Sequence, residues 1–506
     1  MSKFNERNSS LCMDLYELTM ANGLFELGKK DEISVFDVFY RKNPDDGGYS
    51  IFCGLDQVMD IIKNFNFTEE DISYLASLGS FSKDFLKYLK DMTNPFYVGF
   101  DIKVSGVEEG TIVYPNTPLL TIEAPTIFAM LLETAILNQI NHQSLIATKA
   151  SRIVRVANGK PVADFGARRA HNIDASVYGA RACYIGGCSS TATVLAGEQF
   201  KIPVSGTMAH SWVMNFDDEL DAFKAFADIY PDNCILLVDT YDVLLSGIPN
   251  AIKTFEYVTN KLGRRPKNYG IRIDSGDLAD LSKAARKVFK NTNWNEAKIV
   301  VSNSLDEYII SSLISQDAQI DSFGVGERMI TSKSEPVFGA VYKMVGKYEK
   351  KENEEKCLEP KVKISNNPEK ITNPGLKYLY RIYNTKTGYS VGDVISRFPV
   401  FDIHNECCVN PDSLWKKKIY EDPMYSHIAL TQPIYLRQGG NIILDYNSPN
   451  IEDIRNKVKN QLEKEVWPGL LRLTNPAYYP VYFTEDYSDF KVDVIMRFSK
   501  DTKSDN

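Results

Sequence analysis

Between residues 161 and 326 short apolar runs alternate with helix-period segments, and this alternation constrains the fold more than any other feature of the chain. The runs at 161–166, 202–206, 234–239, 269–274, 298–302 and 320–324 have the length and the aliphatic, often β-branched content of strands. Helical spacing fills the gaps at 174–184, 190–199, 252–262, 278–289 and 305–315. Ile252, Phe255, Val258 and Leu262, for example, recur every three or four residues until Gly263 stops the pattern. Strands separated by single helices belong to a parallel sheet or a barrel. No G-x-G-x-x-G stands between the first strand and its helix, which argues against a doubly wound dinucleotide fold. The expected fold class is therefore α/β, built on an irregular (β/α) barrel.

The flanks differ in character. Region 1–135 holds a helix starting near Asp14, the turn Asn43-Pro-Asp-Asp-Gly-Gly48, and a β-rich stretch at 101–123 punctuated by Gly106, Gly110, Pro115 and Pro118. An amphipathic helix at 127–157, ended by Asn158-Gly159, leads into the alternating region. The mixed-charge run 347–356 lacks apolar periodicity and reads as a solvated loop. The expected domains are an N-terminal α+β domain at 1–135, a catalytic barrel at 136–345 and a smaller C-terminal domain at 346–506. Three domains suit 506 residues at roughly 150 per domain.

Composition serves to exclude. Lys and Arg number 58 against 66 Asp and Glu, so the net charge of −8 withholds the basic footprint of a general nucleic-acid binder. A local cationic pocket stays compatible with that balance. No run approaches the ~18 apolar residues of a membrane span, and the first ten residues lack the apolar core of a secretory signal. The eight cysteines are scattered and too few for a disulfide scaffold, so reduced thiols in the cytoplasm are expected.

The ends of the strands carry the chemistry. They read Asp164-Phe165-Gly166, Gly206-Thr207, Asp239-Thr240, Arg272-Ile-Asp274-Ser275-Gly276, Ser302-Asn303-Ser304 and Gly324-Val-Gly326. Any one of these polar residues could be a helix cap or turn residue. Six together suit a face where a barrel builds its active site. Gly324-x-Gly326 follows a late strand, where barrels commonly hold phosphate on backbone N–H groups. Arg168 and Arg169 offer charge-assisted donors for phosphate or carboxylate, or simply a solvated helix start. Arg272 alternates with Ile271 and Ile273, and an inward-facing Arg needs an anion. His210, one of five histidines, stands just past a strand end between Thr207 and Ser211. It is either a hydrogen-bonded structural residue or a base or nucleophile. No His, Cys or Glu set has metal-ligand spacing, and Cys407-Cys408 suits no zinc knuckle. The segment Leu237-Val-Asp-Thr-Tyr-Asp242 loosely resembles the diphosphate loop of another transferase class, but it lacks that loop's acidic pair and Thr-Gly turn, which excludes the class.

These motifs resemble the nicotinate phosphoribosyltransferase family. The likeness rests on Asp14-Leu-Tyr-Glu-Leu-Thr-Met20, Phe39-Tyr-Arg-Lys-Asn-Pro44 with Gly48, Ala163-Asp-Phe-Gly-Ala-Arg-Arg-Ala170, Gly186-Gly187 and Val194-Leu-Ala-Gly197. It continues through Pro203 to Ser211, Leu237-Val-Asp-Thr-Tyr241, Arg272-Ile-Asp-Ser-Gly-Asp277, Gly324-Val-Gly326, Pro336-Val-Phe-Gly-Ala-Val-Tyr-Lys343 and Lys363-Ile-Ser-Asn-Asn-Pro-Glu-Lys370 with Pro374-Gly375, with an echo at 473–480. The resemblance implies an enzyme that converts nicotinate and 5-phosphoribosyl 1-diphosphate to nicotinate mononucleotide and diphosphate, the first step of NAD salvage from nicotinate. It also implies coupling to ATP hydrolysis through a phosphohistidine at His210. By the same resemblance Tyr16, from the other subunit of a homodimer, and Phe165 sandwich the pyridine ring, while Arg272 and Thr207 contact nicotinate. Arg168 serves its carboxylate or a phosphate. Asp274 and Asp239 act catalytically, on the ribose hydroxyls or Mg²⁺. Ser304, Gly324, Gly326 and Thr331 hold the 5-phosphate, and Arg41 reaches the diphosphate across the dimer interface. The metal ligands stay undefined.

Two departures from the family pattern bear on these roles. Glu327 replaces the usual Thr after Gly-x-Gly, and a carboxylate beside phosphate is expected to point away. Ala192 stands where amide-using relatives carry Asp, which agrees with an anionic substrate. The competing readings are a related transferase for nicotinamide or another pyridine, and a catalytically lapsed relative kept as a binding protein.

Overall fold

The structure is a computed structural model and describes residues 9–92, 101–350, 356–367, 370–420 and 423–501. It divides into two compact units, one of residues 146–336 and one that joins 1–145 to 337–506.

The unit 146–336 is built on six parallel strands: β1 (Val162–Asp164), β2 (Ser190–Thr191), β3 (Asn233–Leu237), β4 (Asn268–Ile273), β5 (Lys298–Val301) and β6 (Ser322–Val325). Their order is β2-β1-β6-β5-β4-β3. The expected strand at 202–206 contracts to a single parallel bridge from Val204 to Thr191. Pro203, which lacks an N–H to extend a ladder, still accepts a hydrogen bond from Thr191 N through its carbonyl. Among the described residues the Val204 segment and β3 are the free edges, so the expected barrel is an open parallel half-barrel here.

Each strand is followed by a helix with a definable start. Asn172, Asp218, Asp242, Asp277 and Asp306 accept hydrogen bonds from backbone N–H groups of the first helical turns that follow them. These side chains satisfy donors that the helix itself leaves orphaned. The helices Ile248–Leu262 and Leu278–Asn291 bury the apolar faces legible in the sequence, and Gly263 ends the first of them at φ 67°. Isoleucines 271 and 273 are fully buried, whereas Arg272 between them faces the other way and is half-buried.

Register brings the strand ends to one edge. Asp164 pairs with Val325 and Thr191, Val301 with Ile273, and Arg272 with Leu237. The residues that follow each strand therefore emerge side by side.

In the other unit the N-terminal and C-terminal segments share one antiparallel sheet of seven strands. Its order is Lys356–Pro360, Val341–Lys350, Ile33–Phe39, Leu120–Pro125, Ile102–Gly106, Gln432–Gln438 and Asn441–Leu444. Residues 347–350 of the run expected as a loop are thus strand, because they pair with 356–360; residues 351–355 lie outside the described residues. A second sheet of six strands, Ser413–Lys418, Cys408–Asn410, Val481–Thr484, Ser390–Ser396, Tyr378–Asn384 and Tyr425–Ala429, completes the unit. A helix does start after Asp14, which closes a capping box with Glu17. The amphipathic helix expected at 127–157 appears as Thr126–Leu131 and Glu133–Val156, the second followed by Asn158 and Gly159 at positive φ.

Candidate active site

A cavity of about 240 Å³ opens at the aligned strand ends, lined by Phe165, Arg168, Arg169 and Arg272, by Asp274, Ser302, Asn303 and Ser304, and by Gly324, Gly326 and Glu327.

Arg272 anchors it. Its Nη1 donates to Thr207 Oγ1 at 2.6 Å and to Met208 O at 3.3 Å. Its Nε is buried without a hydrogen-bond partner, and it makes no ion pair among the described residues. Burial pushes its pKa below the ordinary arginine value, Asp274 and Asp239 partly restore it, and Arg168 works against it. A guanidinium placed this way is a receptor for an anion. Its Cζ lies 5.9 Å from the centroid of Phe165.

Phe165 explains a glycine. A Cβ on Gly324 would lie 2.5 Å from the ring carbons of Phe165, so only glycine lets that ring lie against β6. Gly166 is similarly confined, its would-be Cβ 2.5 Å from Ile330. Beneath them Asp164 is fully buried and accepts from Gly166 N at 2.9 Å and Thr191 Oγ1 at 2.8 Å. Burial raises its pKa above the ordinary carboxylate value, and those two hydrogen bonds pull it back.

The acidic pair is wired together. Asp239 Oδ2 accepts from Asp274 N at 3.0 Å and from Ser275 Oγ at 2.6 Å, while its Oδ1 is buried and unpartnered. Ser302 donates its hydroxyl to Asp274 Oδ1. His210, half-buried at the start of the short helix His210–Met214, places Nδ1 3.2 Å from Thr240 Oγ1. His210, Thr207 and Asp239 do not line the cavity; Thr207 and Asp239 are hydrogen-bonded to Arg272 and Asp274, which do, whereas His210 meets Thr240, the chain neighbour of Asp239.

The remaining expected residues are placed as follows. Arg168 and Ser304 are exposed at the cavity. Thr331 does not line it; its hydroxyl donates to Glu327 O at 2.8 Å. Glu327, expected to point away, lines the cavity. Lys333 hydrogen-bonds it and Arg169 lies 4.0 Å away, and Lys333 holds its pKa below the ordinary value. These cations relieve the repulsion that would turn it outward. Tyr16 and Arg41 belong to the other unit: Tyr16 is 44% exposed on helix Leu15–Glu26, and Arg41 follows strand Ile33–Phe39. Burial first and Glu133 second push the Tyr16 phenol up to about 12.

Asn303 is a lining residue that the residue types did not single out. It and Ser304 sit at φ 94° and 46°, consecutive non-glycine residues in the left-handed region, where such strain collects at functional sites. The available signal was Asn after a strand, since Asn tolerates that region.

Residues 11–141 match the profile of the nicotinate phosphoribosyltransferase (NAPRTase) N-terminal domain, 161–388 that of the NAPRTase family, and 376–491 that of the nicotinate phosphoribosyltransferase C-terminal domain. A nicotinate phosphoribosyltransferase of Bacillus subtilis is 39% identical over 494 residues, covering 96% of this chain and 94% of the relative. The crystal structure of human nicotinic acid phosphoribosyltransferase superposes with a TM-score of 0.80 at 25% identity, covering 95% of this chain and 99% of that one. The fold is also shared with a nicotinate-nucleotide pyrophosphorylase of Pyrococcus furiosus, at a TM-score of 0.65 and 24% identity over 92% of this chain and 99% of that one.

Proposed function

The chain belongs to the nicotinate phosphoribosyltransferase family, and on that premise we propose that the Arg272 cavity joins nicotinate to the ribose of 5-phosphoribosyl 1-diphosphate. The pyridine nitrogen bonds to the ribose C1 as the C1–diphosphate bond breaks, giving nicotinate mononucleotide and diphosphate in NAD biosynthesis. The carrying observation is Arg272, half-buried beside an aromatic ring, with a donor unfilled and no carboxylate of its own.

The parts take roles from their surroundings. Phe165 offers its ring to the pyridine by offset stacking. Arg272 pairs with the nicotinate carboxylate, and Thr207 fixes the guanidinium that does so. Arg168 and Ser304 face the phosphates, beside the backbone of Gly324 and Gly326; Thr331 stands one helical turn behind. Asp274 and Asp239 receive the ribose hydroxyls. The buried, unpartnered Oδ1 of Asp239 also fits Mg²⁺, which is commonly held by one or two carboxylates plus substrate phosphates and there offsets their charge. No group of three or more His, Cys, Asp or Glu gathers among the described residues, so Asp239 and Asp274 are the protein ligands we assign.

ATP enters through His210. A ring nitrogen attacks the γ-phosphorus, ADP leaves, and water later takes the phosphoryl group from the phosphohistidine. The half-buried ring beside Thr240, at the same edge as the cavity, supports this role. A second copy of the chain, in a homodimer with shared sites, supplies Tyr16 and Arg41. The half-barrel is read as the larger part of an irregular (β/α) barrel. No described helix is long and apolar enough to cross a membrane, and all eight cysteines are free, which supports placement in the cytoplasm.

The test is an assay of nicotinate and nicotinamide side by side with 5-phosphoribosyl 1-diphosphate, with and without ATP. Nicotinate is expected to win by a wide margin and ATP to raise turnover; preference for the amide overturns the assignment. Mass spectrometry after ATP treatment should find an acid-labile phosphate on His210. Its absence, or full ATP coupling in His210→Ala, removes the phosphohistidine.

A further inference from the structure

The loops that follow β5 and β6 both line the Arg272 cavity, yet pairing between these strands ends at Val301 and Phe323, before every lining residue of either loop. Strand register alone therefore does not hold the two loops together. Two residues outside the cavity join them. Glu327, Arg328, Met329 and Ile330 form a short helical turn after Gly326. Met329 and Ile330 are buried, Glu327 lines the cavity, and Arg328 reaches across to the neighbouring loop. There its Nη1 donates to Asp306 Oδ2, and both residues are half-buried. Neither lines the cavity.

Asp306 works on two sides. Its Oδ1 caps the helix Glu307–Ser315, accepting from Tyr308 N at 3.1 Å and Ile309 N at 2.8 Å, while its Oδ2 receives Arg328. That helix start is itself anchored. Glu307 is fully buried and accepts from Lys149 Nζ at 2.8 Å and Arg152 Nε at 3.1 Å, and Lys149 also donates to Ser334 Oγ at 2.7 Å. Between β5 and this platform stand Asn303 and Ser304, at φ 94° and 46°. Consecutive non-glycine residues keep such a backbone only where their surroundings over-determine it. Before the turn, Ser302 donates its N–H to Ile273 O at 3.0 Å and its hydroxyl to Asp274. After it, Leu305 is buried and Asp306 is paired.

We propose that Asp306 and Arg328 are positioning residues of the transferase, an ion pair that holds the turn Asn303-Ser304 and the Gly324–Glu327 loop in the one mutual arrangement that receives the 5-phosphate of 5-phosphoribosyl 1-diphosphate. This role rests on the transferase reading of the Arg272 cavity. The 5-phosphate is remote from C1, the atom that reacts, so contacts to it are the same before and during bond exchange. Their loss raises KM and spares kcat.

Steady-state kinetics on the full chain, with both substrates varied, test the role. Asp306→Asn keeps an N-cap of equal quality and removes only the charge. Its KM for 5-phosphoribosyl 1-diphosphate is expected to rise about tenfold, as loss of a charge-assisted contact does, with kcat and the KM for nicotinate within about threefold of the parent. Arg328→Met should match it, and Arg328→Lys should recover part of the loss. The double variant should be no worse than either single one, because both remove the same contact. Arg286→Met is the control. It breaks an ion pair with Asp321 at the opposite ends of β5 and β6, and should lower the denaturation midpoint with both KM values unchanged. The parent's KM in Asp306→Asn or Arg328→Met overturns the role, whatever their midpoints. So do additive losses in the double variant, or an equal KM shift in Arg286→Met. A parent chain that forms no mononucleotide removes the transferase reading and this role with it, whereas an active parent with any of those results removes this role alone.

Discussion

Arg272 and Arg381 are both arginines on strands in apolar surroundings, one in each compact unit, and they are opposites. Arg381 is fully buried and its fork is filled. Nε donates to Asp393 Oδ1 at 2.8 Å, Nη2 to Asp393 Oδ2 at 2.9 Å and also to Ile112 O at 2.8 Å. Tyr479 donates to the same carboxylate at 2.8 Å, and the guanidinium carbon lies 5.2 Å from the Tyr114 ring centroid. Burial works against its charge, yet the adjacent Asp393 outweighs it, so its pKa stands above the ordinary value. Arg272 has one nitrogen anchored and another unfilled, and burial wins. A buried cation that carries its own counter-ion belongs to the architecture. One that lacks it is waiting for a ligand.

Four experiments can break or sharpen this contrast. The largest effect is expected on stability from Arg381→Met, which strands the Asp393 carboxylate. Urea denaturation should show a loss of about 3–5 kcal/mol, and a change below about 1 kcal/mol would mean the pair is not structural. Next, Arg272→Met should cost roughly 100-fold in kcat/KM, about 2.7 kcal/mol, while its denaturation midpoint stays near that of the parent. A large loss of stability there would make Arg272 architectural too.

A smaller effect separates neighbours on one loop. Asp277→Ala removes the N-cap of helix Leu278–Asn291 and should cost about 1 kcal/mol of stability with turnover retained. Asp274→Asn should do the reverse, slowing turnover at nearly unchanged stability. The smallest effect is on pH dependence. Burial raises the folded pKa of Asp164 above its unfolded value, so the native state holds the proton more tightly. That contribution is present at acid pH and lost as pH rises through the folded pKa. Denaturation curves from pH 4 upward should therefore fall more steeply with pH for the parent than for Asp164→Asn, and parallel slopes would contradict the assignment.

The same loops show how far the site could be read from the chain. Asp239 and Asp242, like Asp274 and Asp277, are pairs three residues apart after a strand, and composition does not tell them apart. In each pair the second residue caps a helix, and the first is wired to its neighbours by hydrogen bonds, Asp274 lining the cavity and Asp239 holding the backbone of Asp274. Arg272 was legible because alternation with two isoleucines sets its side chain on the face opposite theirs. Gly324 was legible as a special position but for an incomplete reason, since the ring of Phe165 demands it whatever phosphate does. Asn303 stood in the strand end Ser302-Asn303-Ser304 without a role of its own, because its left-handed backbone shows only in the structure.

Taken by itself, the sequence determined the parallel strand–helix series, the apolar faces of its helices and the polar character of its strand ends. These follow from spacings of two, three and four residues, which are local. Tertiary structure decided what depends on partners far along the chain. It set the register that aligns Asp164, Ile273, Val301 and Val325, left the half-barrel open beyond Val204, and drew strands from before and after that sheet into one seven-stranded sheet. It also decided which arginine has a carboxylate within reach, because two residues twelve apart meet only when their strands pair, as Arg381 and Asp393 do.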